Sequence, residues 1–116
     1  MIKDHPEHYH QLRRLMGTMI KDMPETMKGF SALNDAALAD GALSSKTKEL
    51  IALGIAIYAK CDGCIAYHVH DALEAGSSRQ EIEETIGVSM LMGGGPALVY
   101  ACEAIEALEQ FLEKGS

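Results

Sequence analysis

Cys61, Cys64 and His68 are the residues of this chain whose types and spacing best suit chemistry. A thiolate rather than a thiol is the nucleophile, and an ordinary cysteine, with a pKa of about 8.5, is mostly protonated at neutral pH; a neighbouring histidine or a helix N-terminus lowers that value. If Cys61-Asp-Gly-Cys-Ile-Ala-Tyr-His68 is helical, then at ~100° per residue Cys64 stands about −60° from Cys61 and His68 about −20°. The imidazole then lies angularly between the two sulfurs. A second sulfur within bonding reach lets a sulfenic acid or mixed disulfide on the first be resolved internally. This pattern points to dithiol redox chemistry.

Other chemistries fit the spacing less well. Zinc held by Cys61, Cys64, His68 and His70 would have suitable ligand types, but His68 and His70 point to roughly opposite sides of one helix. Covalent haem attachment needs a histidine directly after the second cysteine, and Ile65 is there. A bland alternative is two buried cysteines and a satisfied histidine with no chemistry. Cys102, among alanine neighbours, reads as a small core residue. His5, His8 and His10 read as solvated surface near the first helical turn.

The positioning elements are all helical. Tyr9, Leu12, Leu15, Met16 and Met19 recur at three and four, predicting a first helix from Pro6 to about Lys21. Pro24 opens a second, Glu25 to Ala39, with Met27, Phe30, Leu33 and Leu38 expected inward and Asp40-Gly41 closing it. Ser44 and Ser45 offer an N-cap for a third, Lys46 to about Lys60. Its second half is apolar on every face, which predicts a helix surrounded by protein. Glu49 stands near its start, where a carboxylate also interacts favourably with the helix N-terminus. The fourth helix runs from Cys61 or Asp62 to Ala75-Gly76. Ser78-Arg-Gln-Glu81 has capping-box spacing and opens a fifth, with Ile82, Ile86, Met90 and Leu91 on its stripe. Gly93-Gly-Gly-Pro96 ends it, and a last helix follows from Ala97 to about Glu113, with Glu103, Glu106, Glu109 and Glu113 as a solvated edge. No segment has the strand period. About six helices with short connections make an all-α, compact bundle.

Composition narrows the function classes. A length of 116 residues fits one domain, 1–116, with a single core. A net charge of −7 disfavours nucleic acid or an anionic membrane as partner. Three cysteines are too few and too odd in number for a disulfide-stapled secreted scaffold. The N-terminus lacks the apolar region of a signal peptide, and the run Leu50 to Ala59 is well short of the ~20 residues of a membrane span. A cytoplasmic protein is expected. The all-round apolar third helix leaves more hydrophobic surface than so small a core readily covers, which predicts an oligomer.

Lys46-Thr-Lys-Glu49-Leu-Ile-Ala-Leu, then Cys61-Asp-Gly-Cys64, Ile-Ala-Tyr-His68 and Glu74-Ala-Gly76 together resemble the AhpD-like branch of the carboxymuconolactone decarboxylase family. The resemblance implies an all-helical fold assembling as an obligate oligomer, trimer or hexamer. It also implies a peroxidase reducing organic hydroperoxides, without metal or cofactor, in which Glu49 orients His68 or relays a proton to it through water. By matching position Cys64 is the peroxidatic cysteine and Cys61 the resolving one, although helix geometry alone could favour Cys61. The implied reductant is an external dithiol, lipoyl-linked or thioredoxin-like. One departure is Gly63, where the AhpD peroxidases carry a further histidine. Disulfide reduction, redox sensing, decarboxylation through His68 and Glu49, and a zinc-binding or structural module remain as alternatives.

Overall fold

The computed structural model describes residues 2–114. Among them are five helices and no strand: α1 (His5–Asp22), α2 (Pro24–Leu38), α3 (Ser45–Tyr58), α4 (Asp62–Glu74) and α5 (Arg79–Lys114). The elements number five rather than about six because the two expected C-terminal helices meet end to end within α5, and the expected break between them stands. The break survives as a kink: Gly94 takes φ 66° and ψ −148° inside α5, with Pro96 two residues on. A positive φ favours glycine, and proline cannot donate to the helical ladder, so the axis bends there.

Helix starts follow local chemistry. Asp4 accepts the Glu7 N–H at α1 and Ser44 accepts the Thr47 N–H at α3, both at 3.1 Å. Before α5 the capping box closes both ways, Ser78 N–H to Glu81 Oε1 at 2.8 Å and Glu81 N–H to Ser78 Oγ at 3.1 Å. The ends of α3 and α4 share one device. At α4 Gly76 turns left-handed (φ 95°), its N–H bonding Leu73 O and the next N–H bonding Ala72 O. At α3 the left-handed residue is Lys60 (φ 58°), with Lys60 N–H on Ile57 O and Cys61 N–H on Ala56 O. A side chain in that conformation costs roughly 1–2 kcal/mol. Its effect is to turn the chain sharply into the cysteine segment.

The core lies where α3, α4 and α5 meet, built from Leu53, Ile57, Ile65, Val69, Ile82, Leu108 and Phe111, all at most 1% exposed. α1 crosses α4 and α5 and contributes Tyr9. α2 corrects the expectation of an inward stripe: no residue in it is buried, and Phe30 and Leu33 are each 64% exposed. α3 is likewise covered on one side only, since Ile51, Ile55 and Tyr58 remain about half exposed or more. Cys102 is exposed rather than a core residue. α5 is long and apolar enough to cross a membrane by length and composition, unlike any uninterrupted apolar run in the sequence. Its Ile82, Ile86, Ala97, Ala101 and Leu108 are core residues here.

The N-terminus also departs from expectation. Glu106 accepts the Ile2 N–H, the Lys3 N–H at 2.8 Å and His5 Nε2 at 3.1 Å. Lys3 Nζ lies 2.6 Å from both Glu103 and Asp62. Glu103 and Glu106 are thus clamps rather than a solvated edge, and His5 is 1% exposed rather than surface. Burial pushes the His5 imidazole below its ordinary value, against the pull of Glu106. Desolvation would raise the Glu106 carboxyl, but the hydrogen bonds from Ile2, Lys3 and His5 outweigh it and hold it low.

Candidate active site

Cys61 is the N-cap of α4 and Cys64 lies in its first turn. The two sulfurs are joined as a disulfide, with Cα atoms 5.2 Å apart. Cys61 Sγ also accepts the Cys64 N–H at 3.3 Å, so the sulfur itself does the capping. Both cysteines are half-buried. A thiolate formed here meets the unpaired N–H groups of a helix start, which stabilise negative charge.

One turn along α4, His68 Nδ1 lies 3.0 Å from Glu49 Oε1 of α3. Glu49 is buried and His68 a quarter exposed. The contact is direct, as the expected orienting role requires, rather than through the water expected for a relay. An ionised carboxylate offers only acceptors, so in this bond Nδ1 carries the proton and Nε2 is left as the basic nitrogen. Glu49 therefore fixes both tautomer and ring orientation. Its place at the α3–α4 packing face shows that it does more than interact with a helix dipole. The geometry brings together Glu49 and His68, and it brings together Cys61 and Cys64, with His68 four residues beyond Cys64 on the same helix.

His70 takes no part in this constellation. Its ring stacks on Tyr9 at 4.0 Å, meets Phe111 edge-on, and its Nδ1 lies 2.9 Å from Asp71 Oδ1. The zinc set of two cysteines and two histidines is therefore not assembled. A different trio could hold a cation: ligand atoms of Glu49, His68 and Asp71 fall within 4.8 Å of one another. Asp71 was missed in the sequence, although its i, i+3 relation to His68 puts it on the same helical side.

Gly63 acquires a steric explanation. A Cβ built there would stand 3.0 Å from Leu12 Cδ1 and 3.8 Å from His8 Nε2, both on α1. The space beside the cysteine pair is filled by α1, and the absence of a side chain lets that helix dock on the first turn of α4. His8 is half-buried there rather than solvated surface. Sequence reasoning had no signal for this, because the contact joins residues 55 positions apart.

Known proteins resemble the chain along most of its length. The model of the carboxymuconolactone decarboxylase family matches residues 24–107. An uncharacterised protein of Cupriavidus necator is 34% identical over 95 residues, covering 82% of this chain and 84% of its own. The crystal structure of an apo carboxymuconolactone decarboxylase family protein from Legionella pneumophila superposes with a TM-score of 0.89 at 44% identity, covering 92% of this chain and 96% of the other. A family protein of Thermotoga maritima, for which involvement in an antioxidative response has been suggested, gives 0.81 at 30% identity, covering 90% of each chain. With a family match that takes in Glu49, both cysteines of the disulfide and His68, the chain belongs to the carboxymuconolactone decarboxylase family.

Proposed function

We propose that this chain is an AhpD-like thiol peroxidase that reduces organic hydroperoxides through Cys61 and Cys64 in a reducing cytoplasm. The observation that carries this is the cysteine pair at the start of α4 with a carboxylate-braced imidazole one turn further on. The antioxidative response suggested for the Thermotoga maritima relative is consistent with it.

In the proposed cycle His68 Nε2 takes the Cys64 thiol proton, and Glu49 stabilises the imidazolium so formed. The thiolate attacks the outer oxygen of the hydroperoxide. The O–O bond breaks, Cys64 becomes a sulfenic acid, and the departing alkoxide takes the proton from His68 to leave as alcohol. The Cys61 thiol then displaces hydroxide from the sulfenic acid, which leaves as water with the thiol's proton, and forms the disulfide. Two electrons from an external dithiol, lipoyl-linked or thioredoxin-like, reduce it by thiol–disulfide exchange. No metal or cofactor enters this scheme. The same proposal has the chain working as a homotrimer or homohexamer.

Mass spectrometry of the reduced protein after one equivalent of cumene hydroperoxide tests the chemistry. Formation of the Cys61–Cys64 disulfide is expected; its absence sinks the proposal. Cys64→Ser should abolish peroxide consumption, while Cys61→Ser should accumulate a sulfenic acid. The reverse pattern would exchange the roles. A decarboxylase reading draws on Glu49 and His68, whose bond does not involve the sulfurs. Full activity on a carboxylated lactone with both cysteines changed to serine would favour it.

A further inference from the structure

Asp71 has no task in the proposed cycle, yet it stands beside that cycle's base. His68 and Asp71 are three apart on α4 and share one side of it, and Glu49 faces them from α3. One ligand atom from each of the three lies within 4.8 Å of the other two. An imidazole nitrogen with two carboxylate oxygens is a donor set for a divalent first-row transition ion. The spacing suits that use. Atoms about 2.1 Å from one tetrahedral ion stand roughly 3.4 Å apart, and Glu49 Oε1 and His68 Nδ1 are already at 3.0 Å.

Charge points the same way. Two carboxylates meet at this corner of the α3–α4 interface, and among the described residues neither forms an ion pair with a lysine or arginine; each has an imidazole instead. A dication would balance both. The chain's net charge of −7 draws cations toward it. Both carboxylates are also held ready. Glu49 is buried, and Asp71 is bonded at 2.9 Å by His70 Nδ1, whose ring stacks on Tyr9 and meets Phe111 edge-on. Outer hydrogen bonds of this kind fix ligating carboxylates in place. His68 and Asp71 are each partly exposed, so an ion reaches the site from solvent.

We propose that Glu49, His68 and Asp71 form a binding site for a divalent transition-metal ion such as zinc, and that the bound ion switches the cysteine chemistry off. The switching half rests on the peroxidase reading above; the binding half does not. In the metal-free chain the Nδ1 proton lies in the bond to Glu49, and Nε2 is the base for Cys64. A metal on Nδ1 needs that lone pair, so the proton moves to Nε2. The imidazole stays neutral, no proton leaves, and the base is lost. Water completes the coordination, as is usual with three protein ligands.

Zinc titration of the oxidised chain tests the binding half, because the Cys61–Cys64 disulfide keeps both sulfurs from ligating. Calorimetry should find one site per chain. Asp71→Asn and Glu49→Gln, neutral and nearly isosteric, should each weaken it by about tenfold or more, with circular dichroism confirming the fold. NMR of the imidazole nitrogens should show the His68 proton on Nδ1 without zinc and on Nε2 with it. For the switch, the reduced chain receives cumene hydroperoxide with and without zinc, and each protein is compared with its own zinc-free rate. Disulfide formation should slow by about a hundredfold in the wild type at saturating zinc, and far less in Asp71→Asn. Equal slowing in both would place the inhibiting zinc on the thiols and overturn the switch, as would zinc bound with the His68 tautomer unchanged. No saturable binding, or undiminished affinity in both variants, overturns the site. A zinc-free wild type that forms no disulfide overturns the peroxidase reading and with it the switch, while calorimetry still decides the site.

Discussion

The two long faces of α3 are built from the same apolar residue types and end in opposite states. Glu49, Leu53, Ala56 and Ile57, spaced at four, three and one, are buried against α4 and the core. Ile51, Ile55 and Tyr58, on the reverse, are 47%, 62% and 57% exposed. The first face closes within the chain, and closure is what makes its one polar residue useful. A carboxylate in water would be a weak brace for an imidazole, whereas Glu49, screened from solvent, holds His68 in one tautomer. The second face has nothing to close it in the single chain, and it carries no titratable group except the Tyr58 hydroxyl.

The sharpest way to break this contrast is to truncate one residue on each face. Leu53, fully buried, should cost about 2–5 kcal/mol as Leu53→Ala, through lost transfer energy and the cavity left behind. Ile55→Ala should cost under about 0.5 kcal/mol in a dissociated chain, as a surface substitution does. If the homo-oligomer proposed above covers this face, the Ile55→Ala penalty should grow with protein concentration, because association stabilises by mass action. Urea denaturation at two concentrations a hundredfold apart measures both. Equal costs for the two variants at low concentration would mean the faces do not differ as described.

A smaller effect sharpens the chemical half. Glu49→Gln keeps the shape of the side chain but removes the charge that favours the imidazolium. Acid–base assistance contributes typically about 10²–10⁴ in rate, and the amide still orients the ring, so peroxide-driven disulfide formation should slow by roughly 10–100-fold. Stopped-flow measurement of the second-order rate at pH 7 checks this. An unchanged rate would reduce Glu49 to a packing role.

What could be read in the sequence sorts by distance along the chain. Ser44, the Ser78–Glu81 box and the Cys61–His68 spacing involve partners within one or two turns, and the structure keeps each of them. The Glu49–His68 bond crosses two helices, yet it was anticipated, because it rested on a family resemblance rather than on periodicity. Amphipathic spacing named a face on α2 but not what covers it, since periodicity is silent on whether the partner is the same chain. The kink at Gly94 was expected as a helix end because glycine and proline mark a break without fixing its angle. Least legible were contacts over about a hundred residues. Glu106 sits four residues from Gln110 on a helix that looked like a solvated edge, and both bind the N-terminal segment.

That N-terminal clamp supplies the smallest predicted effect, and it separates stability from reactivity. The folded His5 lies below its ordinary value of 6.5, so the folded chain binds fewer protons than the unfolded one as pH falls through that value, and stability is lost on the acid side. Glu106 is also held below its ordinary 4.5, so its contribution is present above that value and is lost on further acidification. Both signs agree: stability should be full at pH 8, decline from about pH 6.5, and decline again below about pH 4.5. The first decline should be modest, since it comes from one imidazole. His5→Asn, which cannot take up a proton, should flatten that step while leaving the second. Denaturation midpoints at pH 8, 6, 5 and 4 for the two proteins read this out. The clamp also holds α1 across Gly63, through Lys3 on Asp62 and Glu103. Acid release of the N-terminus should therefore speed the access of a small dithiol to the Cys61–Cys64 disulfide in the wild type and less so in His5→Asn. The difference between the two proteins at pH 5.5 isolates the clamp from the pH dependence of the dithiol itself.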